Sequence, residues 1–253
     1  MIKFFRKIRQ NLLAEGKTGK YFKYAIGEIM LVVIGILIAL SINNWNEKRK
    51  ENSTIKTYLK GIVVDLNKDT KRFDVIIKNL NEQIENNSKV FENKNYQTLP
   101  FDSIVLTITS YFNDYKITDQ TYQKLKNSGL ANQLGSKELN DAINNYYSED
   151  LYRFNLYIDY DEKRSINDDD FWFVTNDYEI NPVFGRSQNL NLSFSENEES
   201  RKTALIKKIE SNLGRNNLRN NISRKSIGIN ITQELKNKAE LLTEMIHEEL
   251  NEK

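Results

Sequence analysis

The run "YAIGEIMLVVIGILIALSINNWNE", Tyr24 to Glu47, constrains this chain of 253 residues more than any other part of it. Between Tyr24 and Trp45 it holds eleven Ile, Leu or Val residues and one charge, Glu28, in a protein whose mean hydropathy is −0.64. On the scale of helix insertion into a bilayer the eleven contribute about −3 to −7 kcal/mol. Glu28 lies near one end, where its cost falls below the roughly 2.5 to 3.5 kcal/mol of a central charge. Twenty-one steps of about 1.5 Å set the Tyr24 and Trp45 rings roughly 31 Å apart, close to the thickness of a hydrocarbon core. The strictly uncharged part, Ile29 to Ile42, is fourteen residues. A buried core helix or the apolar stretch of a signal peptide also reaches that length, and Ala39-Leu40-Ser41 resembles a small-x-small cleavage site. The basic stretch before the run is long for a signal peptide, and "NNWNE" supplies a second aromatic-polar boundary after it. The expectation is an uncleaved transmembrane helix over 24–45.

Charge is spread unevenly around that run. Residues 1–23 carry Lys3, Arg6, Lys7, Arg9, Lys17, Lys20 and Lys23 against Glu15, a local +6 in a chain of net +2, so about −4 falls on everything after Lys23. Lys and Arg near the two ends are nearly balanced, six before the span and five after it, so the positive-inside bias alone is weak. The membrane potential decides the direction: carrying +6 outward costs on the order of 14 kcal/mol per 100 mV, whereas exporting a negative domain runs with the field. The predicted placement is single-pass in the inner (cytoplasmic) membrane, with a basic cytoplasmic tail over 1–23 and an extracytoplasmic, periplasmic domain over 46–253. In the tail, Ile2, Phe5, Ile8 and Leu12 stand at helical spacing among basic residues, the pattern of a short amphipathic helix on an anionic leaflet.

Composition excludes several chemistries. There is no cysteine, hence no disulfide, thiolate metal site or cysteine nucleophile, and one histidine, His247, rules out the two-histidine metalloprotease pattern. Ten glycines and two prolines favour long helices over a many-turned β fold. The expected class is all-α: one transmembrane helix followed by an antiparallel helical bundle.

The opening "MIKFFRKIR" and the span "GEIMLVVIGILIALSINNWNEKRK" closely resemble a family of uncharacterised Bacteroidota membrane proteins, a domain-of-unknown-function family that begins with a short basic helix and a span of this type. A second stretch, "TYQKLKNSGLANQLGSKELNDAINNYYSED" (Thr121 to Asp150), resembles the family's later pattern of a helix, a Ser-Gly stop and a helix ending in a tyrosine pair. The resemblance implies a single-span envelope protein with a helical extracytoplasmic part and supplies no catalytic residue. It gives weight to Glu28, Gly35, Asn43, Asn44 and Trp45 as contacts to membrane or partner. Glu28 can pair with Lys20 or Lys23 at headgroup level, and Gly35 with Ala39 allows close approach of a second helix.

Beyond the span, Ile55, Leu59, Ile62, Leu66, Phe73, Ile76, Leu80 and Ile84 describe one face of a long amphipathic helix that can run on from the span, with Asp69 and Gln83 interrupting the seam. Thr118 or Asp119 is expected to cap a helix stopped near Gly129. Ser136 caps the next, whose face reads Leu139, Ile143, Tyr147, Leu151, Phe154 and Ile158. Tyr146, Tyr147, Tyr152, Tyr157 and Tyr160 read as core and rim packing rather than a stacking site. In "NDDDFWF", Asp168, Asp169 and Asp170 lack the spacing of a calcium loop, and a solvated helix end with Phe171 and Phe173 buried is expected. Residues 176–200, with Pro182 and Gly185, form a loop, and Ser195 with Glu198 makes a capping box for the helix after it. Arg201 to Lys225 holds eight Lys or Arg, one Glu and no aromatic residue. It reads as a solvated face first, an anionic lipid or glycan surface second, and not as a nucleic-acid site. A last helix, Ile229 to Leu250, carries Ile231, Leu235, Leu241, Leu242, Met245, Ile246 and Leu250, with His247 at the edge.

These readings give a non-enzymatic, membrane-anchored interaction, scaffold or sensory protein. Its tail is too short for an effector domain of its own, no cofactor or metal is expected, and its partners are the lipid bilayer and a membrane or periplasmic protein or second copy. The alternatives are a carboxylate-dependent glycan hydrolase using Asp168 to Asp170, which lacks a motif to position two acids, and binding of anionic lipid or glycan through 201–225.

Overall fold

A computed structural model describes residues 18–92, 94–181 and 192–251. The amino-terminal tail through Lys17, with its amphipathic pattern, and the loop residues Pro182 and Gly185 lie outside the described residues. The described chain is helical and contains no strand. Helix α1 spans Thr18–Glu92, followed by a 3-10 turn over Lys94–Thr98 and α2 over Phe101–Leu106. After an irregular connector come α3 (Gln120–Asn127), α4 (Lys137–Asn145), a π-turn (Tyr146–Asp150) and α5 (Leu151–Phe173). The last two helices are α6 (Glu198–Glu210) and α7 (Asn212–Asn251). By its contacts the chain divides into two units, one up to Lys56 and one from Thr57 onward.

In the first unit the apolar stretch of α1 is exposed among the described residues. Every Ile, Leu and Val from Ile29 to Ile42 is between 43 % and 65 % exposed, and none of its most apolar window is buried. Such a helix is long and apolar enough to cross a membrane.

The second unit buries its apolar residues. On α1 Leu59, Ile62, Leu66, Phe73, Ile76 and Leu80 are buried, as their spacing predicts, and α1 runs without a break from the apolar segment. Antiparallel packing of α7 on α1 is marked by Asp74 with Lys236 and by Phe91 under Arg215 and Arg219. Against the π-turn and α5 the markers are Asp150 with Lys238 and Asp168 with Asn217. A core of Val90, Tyr96, Ile104, Ile108, Trp172, Leu205, Ile209 and Leu218 joins α1, α5 and α7 with α2 and α6.

Local signals explain most boundaries. Ser136 Oγ accepts from Leu139 N and starts α4, and Gly129, at φ +77°, follows the end of α3 where an L residue would be strained. Three expected features are corrected. The cap of α6 is Asn197, which accepts from Ser200 N, because Ser195 turns instead to Glu179 and Glu198 reaches the Phe101 N–H. The helix through the tyrosine pair is interrupted: the π-turn inserts extra chain, so the buried face continues as Phe154, Tyr157 and Asp161 while Leu151 and Ile158 are half-buried. On α7 the inward row is Gly228, Thr232, Leu235, Ala239, Leu242 and Ile246, and Ile231 and Leu241 lie off it.

Candidate functional site

The residues singled out in the apolar helix, Glu28, Gly35, Ala39, Asn43, Asn44 and Trp45, all lie on α1 within the first unit. Beyond the adjacent turns of its own helix, no described atom lies within 4 Å of a Cβ built at Gly35, and Ala39, Asn44 and Trp45 are exposed. Asn43 Nδ2 donates to Glu47 at 3.0 Å, and the Arg49 guanidinium lies 5.4 Å over the Trp45 ring. Glu28 is half-buried. These residues share one helix and are not gathered into a pocket.

The densest polar site lies elsewhere, inside the unit from Thr57 onward, and sequence reasoning assigned its residues to solvent. On α5, Asp161, Ser165, Asp168 and Trp172 follow one another at spacings of four, three and four, and all are buried. Facing them on α7 stand Asn221, Arg224 and Lys225, also buried, and Asn217. Arg224 donates from Nε to Asp161 at 2.8 Å and from Nη2 to Asp168 at 2.6 Å. Lys225 Nζ donates to both oxygens of Asp161, at 2.8 and 3.0 Å, to Ser165 Oγ at 3.2 Å and to the Tyr111 carbonyl at 2.8 Å. Asn217 donates to Asp168 at 2.7 Å and accepts from the Trp172 indole at 2.8 Å. Two acids and two bases thus neutralise one another in a buried layer, where an unpaired charge would cost several kcal/mol, roughly 3–5 in measured cases.

Burial sets the protonation behaviour. Desolvation pulls the Lys225 ammonium down to about 8, against the opposing attraction of Asp161. Asp169, beside the network, is pushed up to about 6, first by burial and then by Asp168 and Asp170. Asp168 is therefore engaged by Arg224 and Asn217 rather than presented to a ligand, which corrects the expectation of a solvated helix end. Trp172 is the fully buried ring there, with Phe171 and Phe173 half-buried. Among the described residues no group of three or more metal-ligating side chains converges.

The basic segment is corrected in the same way. Arg201 lies 4.5 Å over Phe101 and 3.5 Å from the Phe194 ring centre, and its Nη1 donates to the Glu179 carbonyl. Lys208 stands over Phe171 at 4.7 Å and pairs with Asp177 at 3.4 Å. Arg215 and Arg219 cover Phe91. With Arg224 and Lys225, six of the eight cations between Arg201 and Lys225 hold partners supplied by this fold, and three of them are buried. Cation–π pairing explains why the segment needs no aromatic residue of its own: the rings come from α1, α2 and the chain around α5.

A second set of buried polar residues fastens the irregular connector between α2 and α3. Asp69 accepts from the Tyr115 hydroxyl, from Thr118 N at 3.1 Å and from Thr118 Oγ1 at 2.8 Å. Gln83 accepts from Tyr111 N at 2.9 Å, and Asn87 donates to the Thr107 carbonyl at 2.8 Å. The residues that seemed to interrupt the seam of α1 are the ones that satisfy a buried non-helical backbone. Burial raises the Asp69 carboxyl and, still more, the Tyr115 phenol.

Of the five tyrosines, Tyr146, Tyr147 and Tyr157 are buried and Tyr152 and Tyr160 exposed, so they do not form one stacking site. The signal that could have exposed the charge network was the matched spacing of Asp161, Ser165 and Asp168 with Asn217, Asn221 and Arg224. Without knowing which helices pair, that spacing reads as two solvated faces.

No curated protein and no solved structure matches the chain. Residues 28–177, more than half of it, match a family of unknown function, DUF6090, and the chain belongs to that family.

Proposed function

We propose that this protein is a membrane-anchored helical interaction module. Its apolar helix crosses the inner membrane once, with the basic tail on the cytoplasmic side, and the unit from Thr57 onward stands in the periplasm to dock a protein partner or a second copy. The observation that carries this reading is a contrast within one helix: Leu59, Ile62 and Leu66 are buried by protein, whereas the apolar side chains from Ile29 to Ile42 are exposed among the described residues. Leaving ten branched aliphatic side chains in water would cost on the order of 10 kcal/mol or more, so lipid is the environment that suits them. A binding role is favoured over a catalytic one by the buried carboxylates Asp161 and Asp168, both held in ion pairs.

The test is fractionation of the full chain followed by protease treatment of spheroplasts. The product should stay in the membrane after alkaline carbonate extraction, and added protease should digest its carboxyl-terminal part. Recovery in the soluble fraction, or a carboxyl-terminal part protected until the membrane is broken, overturns the reading.

A further inference from the structure

In the unit from Thr57 onward, the end of α4 and the π-turn line, together with α7, a cleft of about 210 Å³. One side is formed by Ala142, Tyr146 and Asp150, the other by Lys238, Leu241, Leu242 and Met245. Tyr146 and Leu242 are buried, and Leu241 and Met245 add apolar surface that is still open to solvent. The Lys238–Asp150 ion pair belongs to the same lining.

Three features separate this cleft from an ordinary surface groove. The first is its wall: a π-turn over Tyr146–Asp150 replaces the cheaper α-helical hydrogen bonding, and such turns concentrate where side chains must be re-aimed for function. The second is the Tyr146 hydroxyl, which is buried and has no hydrogen-bond partner among the described residues. Burial raises its pKa, so it stays a neutral phenol. The third is the asymmetry of the ion pair, in which 47 % of the Lys238 side chain is exposed against 13 % of Asp150. An incoming anion reaches the ammonium, whereas an incoming cation finds the carboxylate shielded.

We propose that this cleft binds a small amphipathic carboxylate, its anionic head on Lys238 in exchange for Asp150 and its apolar body against Leu241, Leu242 and Met245. The volume lies below the roughly 300–1,000 Å³ of sites for larger ligands, so the apolar body is a single ring or a short alkyl chain. Because Lys238 gives up one carboxylate to gain another, the net affinity comes mainly from the apolar contact and is modest, while the charge selects acid over alcohol. The cleft lies wholly in one unit, so the proposal stands or falls apart from the membrane placement.

The probe is 3-(4-fluorophenyl)propionate, followed by fluorine NMR with the full chain in lipid nanodiscs and with empty nanodiscs as background. Binding should be saturable with Kd of about 1 mM or tighter, and the corresponding alcohol should bind about tenfold more weakly. Lys238→Gln should weaken the acid to the level of the alcohol, Lys238→Arg should restore it, and Ala142→Trp should remove binding of both by filling the cleft. The proposal is overturned by no saturable signal above empty nanodiscs at about 10 mM. It is equally overturned by equal binding of acid and alcohol, or by binding indifferent to Lys238→Gln. Should Ala142→Trp fail to fold, the Lys238 variants and the acid–alcohol comparison still decide.

Discussion

Lys225 Nζ donates to the carbonyl oxygen of Tyr111 at 2.8 Å, across 114 residues of sequence. The same ammonium holds both oxygens of Asp161 on α5. One buried cation therefore ties together α7, α5 and the non-helical connector, three segments whose backbones otherwise share no regular hydrogen bonding. Paired charges of this kind add little net stability over an apolar replacement, but they penalise any arrangement that leaves one of them unpaired, which selects a single register of α5 on α7.

Replacing Lys225 by Met tests that account. The variant leaves Asp161 with Arg224 alone and the Tyr111 carbonyl without its donor, and a loss of about 3–5 kcal/mol is expected, as for other broken buried pairs. Adding Asp161→Leu should recover at least about 1 kcal/mol of it, a coupling that only direct neighbours show. Urea unfolding followed by tryptophan fluorescence measures both, in a Trp45→Phe background that leaves Trp172 as the reporter. Additive losses in the double variant would contradict the network.

The pH dependence has a definite sign on each side of neutrality. Asp169, raised to about 6 in the folded protein, binds more protons there than in the unfolded chain, so its contribution to stability falls as pH rises from about 4 to 6. Lys225, lowered to about 8, binds fewer protons when folded, so its contribution rises as pH increases from about 8 to 10.4. Asp169→Asn should flatten the acid limb and stabilise the protein at pH 7 by on the order of 1 kcal/mol. Lys225→Met should flatten the alkaline limb. Melting temperature against pH for the three proteins reads both slopes, and an unchanged acid limb in Asp169→Asn would assign that limb to other carboxylates.

What was legible in the sequence follows from what one helix can reveal about itself. The α1 face from Leu59 to Leu80, the Ser136 cap and the stop near Gly129 are local, decided by periodicity and backbone strain within a few residues. The open apolar run was legible for the same reason. The partners of Asp168, Arg201 and Arg224 were not, because each lies on another element at a separation of 56, 100 and 63 residues respectively for the contacts Arg224–Asp168, Arg201–Phe101 and Arg224–Asp161. Charge periodicity on a helix looks alike whether it faces water or an opposite set of charges. The π-turn was hidden too, since Tyr146 and Tyr147 suit an α-helix as well as the turn they occupy.

Asp69 offers a prediction about the connector. Its carboxylate takes three donors from Tyr115 and Thr118, so Asp69→Ala strands them in a buried place and should cost about 3 kcal/mol or more. Tyr115→Phe removes one donor and leaves the other two paired, a loss of about 1 kcal/mol. Hydrogen exchange should show the larger effect concentrated at Thr118, whose N–H loses its acceptor in the first variant and keeps it in the second. Equal exchange at Thr118 in both variants would mean that Asp69 does not hold the connector.

The junction of α6 and α7 depends on how near two backbones come. A Cβ placed on Gly214 would sit 2.2 Å from the Lys208 carbonyl oxygen and 3.0 Å from that of Ile209, and these are main-chain atoms that cannot swing aside. Helix propensity alone would favour Ala over Gly by about 1 kcal/mol, so the sign of Gly214→Ala separates the two effects. Steric conflict should win, lowering stability by about 1–3 kcal/mol and loosening the contact of Arg215 with Glu210 that now closes the junction at 3.3 Å. Gly35→Ala is the control, because beyond the adjacent turns of its own helix no described atom lies within 4 Å of its added Cβ and the folded unit should not register it. Thermal unfolding of the two variants makes the comparison, and a Gly214→Ala protein that melts higher than the parent would show that the helices have room to part.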